Sequence, residues 1–117
     1  MMMVKTYLGA SKINGFGLFA KEDVKAHTLM WQFVPNFDLE LAAEVIESLA
    51  PDFIKHYGSK VEPNIYLLCG DNARFMNHSE NPNMSGAGGQ NFALRDIRAG
   101  EEITCNYREF DLEFKGF

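Results

Sequence analysis

Turn residues cut this chain into apolar segments too short for long strands or a helical bundle. Asn14-Gly15, Pro35, Pro51, the Gly-, Pro- and Asn-bearing stretch 58–65, Gly70 to Asn72, SGAGGQ at 85–90 and Ala99-Gly100 each mark a reversal or a break. Between them lie MVKTYLG (3–9), Leu18 to Ala20, LMWQFVP (29–35), Ile65 to Cys69, NFALRDI (91–97) and EEITCNY (101–107). These alternate or are rich in β-branched and aromatic residues, which predicts short strands. One segment changes period: Leu39, Ala42, Val45, Ile46 and Leu49 fall on one helical face over 38–50. Asn36 or Asp38 would cap that helix, and Pro51 lies just past its end. Phe53 to Tyr57 adds a short turn, and 58–65 reads as loop. The expectation is a mostly β domain with one short helical insert.

The 117 residues suffice for a single domain with one core, and 46% hydrophobic residues with 10 Phe argue for a folded globule. A net charge of -5 argues against a basic nucleic-acid-binding surface and suits a Lys/Arg-rich partner. The helix 38–50 concentrates this charge in Glu40, Glu44 and Glu47, with Asp38 and Asp52 nearby. They form either a solvated face or an attractor for a basic tail. Cys69 and Cys105 form no CxxC pair, so neither a structural zinc site nor a disulfide is expected. The start MMMVKTYLGA does not read as a signal peptide, and no apolar run approaches a membrane span. The chain is expected to be soluble and intracellular, in the cytoplasm if bacterial or the nucleus if it acts on histones.

RFMNHSENPN, residues 74–83, is dense in polar residues. Alone it reads as an Asx-rich turn ending at Pro82, with side chains bonded to their own backbone. It also fits a glycosylation acceptor pattern, which would need a secretory signal. A metal set of His78 with His27 and His56 matches no known ligand spacing. Gly15-Phe16-Gly17 is a turn needing glycine dihedrals or a backbone that lets a ligand approach closely. It lacks the Lys-Ser/Thr pair of a phosphate loop. Tyr107 and Tyr66, each alone, are core or interface tyrosines.

Taken in order, SKINGFGLFA, then YLLCGDNARFMNHSENPN, then GEEITCNYREFD resemble the SET-domain family of protein lysine methyltransferases over about residues 5–111. The chain looks like a minimal SET domain of the viral or bacterial type, with a variable insert at 36–64 and a short tail at 108–117. The resemblance implies a β-clip-like fold of small sheets with a C-terminal pseudoknot beside the Asn-His-Ser element. It implies S-adenosylmethionine as cofactor, S-adenosylhomocysteine as product, and no metal. By match of motif, Gly15, Phe16, Gly17, Asn77, His78 and Tyr107 would contact the cofactor. Tyr107 would be the central catalytic tyrosine, and Tyr66 a second one lining the lysine channel with Cys105 and Phe110. Phe110 or Phe114 would pack on adenine or close the channel.

That chemistry needs these residue types. The cofactor carries the reactive methyl group. The protein must hold a neutral lysine nitrogen in line with it, at about 3 Å. Free lysine titrates near ~10.4, and an apolar, aromatic-walled channel lowers that value. Aromatic faces also suit a methylated ammonium. Two before the tyrosine the family often has Phe or Tyr, whose size limits methylation; Cys105 there would leave room for di- or trimethylation. The substrate would be a lysine-bearing protein or peptide, such as a histone tail, and a homodimer could complete the site. The competing reading is a non-enzymatic SET-like or β-clip module binding a peptide or carbohydrate surface.

Overall fold

The computed structural model describes residues 1–114. Three small sheets carry the fold, as the strand-and-turn pattern requires. The first has order β1 (Thr6–Ala10), β2 (Phe16–Ala20), β9 (Glu102–Cys105), β7 (Asn77–His78). The second pairs β3 (Leu29–Gln32) with β8 (Gln90–Phe92). The third has order β4 (Leu39–Ala42), β6 (Ile65–Leu68), β5 (Ser59–Glu62). All pairings are antiparallel except β7 with β9, which is parallel and sets Asn77 beside Thr104 and His78 beside Cys105. Two helices, α1 (Ala43–Leu49) and α2 (Pro51–Tyr57), follow β4.

The main core joins Leu18 of β2, Met30 and Trp31 of β3, Ile97, and Ile103 and Cys105 of β9. A smaller cluster packs Ala43 of α1 and Ile54 of α2 on Tyr66 of β6. The helices therefore sit on the third sheet, and Tyr66 is held between them and the rest of the molecule.

The segment 38–50 departs from the expected single helix. Residues 39–42 are a strand, because pairing with β6 satisfies their backbone groups and covers an edge that would otherwise be open. The apolar stripe that predicted a helix is not a buried face: Leu39, Val45 and Leu49 are exposed. The helix starts at Ala43, with Ala42 at its N-cap and no side-chain cap. Pro51 opens α2 at its first turn, where a missing N–H costs nothing, so the expected turn at 53–57 is a full second helix. Residues 59–62 are strand rather than loop, forming a hairpin with β6.

Neither expected cap caps. Asn36 adopts a positive φ of 69°. Asp38 is buried and accepts from the N–H groups of Val34 and Gly70 and from the Met1 ammonium. The expected acidic helix face is thus divided: Asp38 is inside, Glu40 is on β4, and Glu44 and Glu47 are on α1. The Gly-rich stretch 85–90, expected as a reversal or a break, leads into β8, and Met84 before it bridges Ala93 beyond that strand.

Candidate functional site

A cavity of about 910 Å³ lies where the first and third sheets and the chain's C-terminal segment meet. Its wall includes Asn14, Gly15 and Phe16, then Asn77, then Cys105 and Tyr107, then Tyr66, then Phe110 and Phe114. Residues far apart in sequence converge there because β9 lies between β2 and β7.

The Asn14–Phe16 turn is built by Ser11. Its hydroxyl accepts from the N–H groups of Ile13 and Asn14, and its own N–H donates to the Gly15 carbonyl at 2.8 Å. Gly15 has φ 49°, in the left-handed region that favours glycine, and a Cβ placed there would meet nothing within 4 Å. Phe16, 64% exposed, presents its ring at the cavity edge.

Gly17 and His78 do not line the cavity; they sit behind its wall. A Cβ on Gly17 would fall 2.4 Å from Glu102 Oε2, so the missing side chain makes room for a carboxylate. Glu102 accepts from Ser11 Oγ at 2.8 and 2.9 Å and from Asn77 Nδ2 at 2.9 Å. The same Asn77 amide lies 3.0 Å from the Asn14 carbonyl and 3.1 Å from the Phe16 carbonyl. Asn77 therefore ties the glycine turn to β7 through its side chain. His78 is buried, with Nδ1 accepting the Tyr107 N–H at 3.0 Å. That acceptor role requires the tautomer with hydrogen on Nε2, which lies 3.2 Å from Glu80. Glu80 is also paired with Arg108 at 2.8 Å. The His78 ring packs on Phe114 at 4.5 Å and on Tyr107 at 5.3 Å between centroids.

Tyr107 donates its hydroxyl to the Met76 carbonyl, and Phe110 and Phe114 pack edge-on against its ring. Burial first, then Cys105 and nearby carboxylates, push its phenol well above the ordinary range. Tyr66, 2% exposed, donates to Glu113 Oε1 at 2.5 Å, and burial and then that carboxylate likewise push its phenol up. Both phenols are neutral hydrogen-bonding groups at physiological pH. Both cysteines are free thiols that face the cavity, and burial raises Cys69 to about 12 and Cys105 further. Neither is an activated nucleophile. Among the described residues no group of three or more His, Cys, Asp and Glu could hold a metal ion.

Several wall residues were not singled out from sequence. Tyr57, at the end of α2, meets Phe75 edge-on at 5.5 Å, and both line the cavity. Arg74 and Lys55 bring positive charge to the wall, and Arg74 also holds the Cys69 carbonyl at 3.0 Å. Glu109, Asp111 and Glu113 line the C-terminal side, where burial raises the Asp111 carboxyl. Asn83, expected only as part of the Asx-rich stretch 74–83, is buried: its amide donates to the Glu102 carbonyl and accepts from the Thr104 N–H, both at 2.9 Å. A polar residue beside a proline carries no signal for this role; only the pairing with β9 reveals it.

Comparison with known proteins places the same elements in a common frame. The model of the SET domain matches residues 15–108. The chain is 32% identical over 127 residues to the histone-lysine N-methyltransferase trr of Drosophila melanogaster, covering 92% of this chain and 5% of that protein. It is 33% identical over 107 residues to an H3 lysine-36 specific histone-lysine N-methyltransferase of Mycosarcoma maydis, covering 80% of this chain and 11% of that protein. The chain thus spans a small fraction of these relatives. Among solved structures, a humanized mutant of the Chaetomium thermophilum Polycomb Repressive Complex 2 bound to an inhibitor superposes with a TM-score of 0.68 at 22% identity, over 92% of this chain and 15% of that one. A candidate histone methyltransferase of Plasmodium falciparum superposes with a TM-score of 0.65 at 23% identity, over 91% of this chain and 95% of that one.

Proposed function

The chain belongs to the SET-domain family, and from that premise we propose that it is an S-adenosylmethionine-dependent protein-lysine N-methyltransferase whose substrate is a histone tail or another lysine-rich segment. The observation that carries this reading is the fixing of Tyr107. Its backbone N–H is held by His78 Nδ1 and its hydroxyl by the Met76 carbonyl, so the phenol stands rigidly on the wall of a cavity edged by Gly15 and Phe16. Such an arrangement suits orientation of an incoming amine, where placement supplies most of the rate.

The residues present fit the cofactor. The side-chain-free surface at Gly15, with nothing within 4 Å of an added Cβ, lets a ligand lie against backbone, and Phe16 offers an aromatic face. A cavity near 910 Å³ falls within the range of cofactor sites. Arg74 and Lys55 could receive a carboxylate, and Glu109, Asp111 and Glu113 would favour cationic groups. When bound, S-adenosylmethionine supplies an activated methyl group on a sulfonium. The protein's part is positional. Gly15, Phe16 and Asn77 would form the cofactor wall, while His78 and the Gly17–Glu102 contact behind it keep that wall in register. Tyr107, Tyr66, Cys105 and Phe110 would form the lysine channel, whose aromatic faces suit a lysine amine and its methylated product. Cys105 lines the cavity with Tyr107, and its small side chain would leave room there for a methylated nitrogen.

Calorimetry with S-adenosylhomocysteine and transfer of labelled methyl groups to core histones and lysine-rich peptide arrays test the reading. Wild type should bind and transfer. Tyr107→Phe should bind within about threefold of wild type but lose at least about 100-fold in transfer, as removal of an orienting group implies. Absence of cofactor binding by wild type would instead favour a non-enzymatic binding module.

A further inference from the structure

A second cavity, of about 180 Å³, opens beside the main one. Trp31, Val61, Leu67 and Gly88 line both, so the two share a wall. Drug-sized ligands occupy sites of about 300–1,000 Å³, so the smaller cavity suits a single side chain. Strand pairing builds it. Glu40 of β4 stands directly across from Leu67 of β6 and so shares its face of the sheet. The register of β5 on β6 shifts between Lys60 and Glu62, and Val61 joins the wall at that irregularity. Phe33, two residues after Trp31, is tied to the glycine stretch by its N–H, which donates to the Gly89 carbonyl at 2.8 Å. Gly88 has φ 80°, and a Cβ placed there would meet nothing within 4 Å, so bare backbone borders both cavities.

The wall has a definite chemistry. Trp31 and Phe33 supply aromatic surface, Val61 and Leu67 apolar surface, and Glu40 the one charged group. Among the described residues the Glu40 carboxylate makes no hydrogen bond or ion pair, whereas Glu47 is paired with Lys60 and Glu80 with Arg108. The Trp31 indole N–H has no hydrogen-bond partner either, so packing alone holds that ring. A free carboxylate beside aromatic faces draws a cation. A flat, weakly hydrated guanidinium stacks on such faces better than a compact, strongly hydrated ammonium.

Resting on the reading of the main cavity as a lysine site, we infer that the smaller cavity is a specificity site for an arginine side chain close to the target lysine, with Glu40 as its charge partner and Trp31 and Phe33 as its stacking surface. The shared wall couples the two. A segment that sends its lysine into the main cavity runs along Gly88 and lays a neighbouring side chain against Glu40. A segment with a neutral neighbour forgoes that contact, and one with an acidic neighbour meets a like charge.

Trp31 is the chain's one tryptophan, so its fluorescence reads the site directly. The full chain is titrated at low salt with n-propylguanidinium and with n-propylammonium. The guanidinium should quench saturably, with a midpoint about threefold or more below that of the ammonium. Glu40→Gln should raise the guanidinium midpoint about fivefold at low salt and less at high salt, and Glu44→Gln, on α1 outside the cavity, should leave it unchanged. Methyl transfer is then compared between a peptide with one lysine flanked by arginines and the same peptide with citrulline, which keeps the shape and loses the charge. Wild type should favour the arginine peptide by about fivefold, and Glu40→Gln should cut that preference below about twofold. Equal midpoints for the two cations, or a guanidinium midpoint that Glu40→Gln leaves unchanged, overturns the arginine site. Equal transfer to both peptides by wild type overturns its role in specificity. Guanidinium binding through Glu40 with no transfer to any lysine peptide overturns the methyltransferase reading, and the specificity role with it, while the cation site stands.

Discussion

Gly17→Ala is expected to damage this protein through Glu102 rather than through any ligand. A methyl group at position 17 falls 2.4 Å from Glu102 Oε2, 2.8 Å from its Cδ and 3.1 Å from Ser11 Cβ, against 3.4–4 Å for ordinary contact. Restoring contact distance moves the carboxylate by about 1 Å, which stretches its 2.9 Å bond with Asn77 beyond hydrogen-bond range. A charge-assisted hydrogen bond of this kind contributes about 1.5–3 kcal/mol. Alanine recovers about 0.4–1 kcal/mol by restricting the unfolded chain. The net expected loss is about 1–2 kcal/mol, read by urea denaturation at pH 7. A double-mutant cycle isolates the cause. A Glu102→Ala background removes the two nearest of these contacts, so Gly17→Ala there should cost less than about 0.5 kcal/mol. Equal costs in both backgrounds would refute the argument that Glu102 is the cause.

Asp38→Asn should lower stability by about 2 kcal/mol at pH 7, because a buried carboxylate with three donors loses its charge while the Met1 ammonium stays partly hydrated. Burial alone would raise the Asp38 carboxyl, but the Met1 ammonium and the Gly70 and Val34 N–H groups hold it below the ordinary value of 3.8. A depressed folded value means its stabilisation is complete above about pH 4 and is lost as pH falls through that folded value; denaturation midpoints of wild type and Asp38→Asn should therefore converge in acid. Cys105→Phe should shift methylated product toward the monomethyl form by filling the space beside Tyr107, at about 1–3 kcal/mol of stability for overpacking a residue that is 4% exposed. Mass spectrometry of the product decides it, and an unchanged product distribution would show that Cys105 does not bound the amine site.

The order of the motifs was legible in the sequence because it is carried by local chemistry. Asn14-Gly15 needs a left-handed turn, EEITCNY carries the β-branched and aromatic residues of a short strand, and Asn-His-Ser ahead of Pro82 marks a polar segment. Those features determined a domain of short strands, and their succession determined the family. Which backbone group each side chain meets was decided only by tertiary structure. Residues 39–42 carry helical periodicity and became a strand because β6 offered an unpaired edge. Asp38 looked like a helix cap and instead receives the Met1 ammonium from across the fold. Gly17 and Asn77 owe their places to Glu102, which is distant from both in sequence and adjacent in space. Local propensity and pattern act over a few residues, whereas a buried carboxylate takes its donors from wherever the sheets bring them. The sequence therefore determined the short strands and the family, and the packing of β9 between β2 and β7 decided which residues face the cavity and which hold its wall.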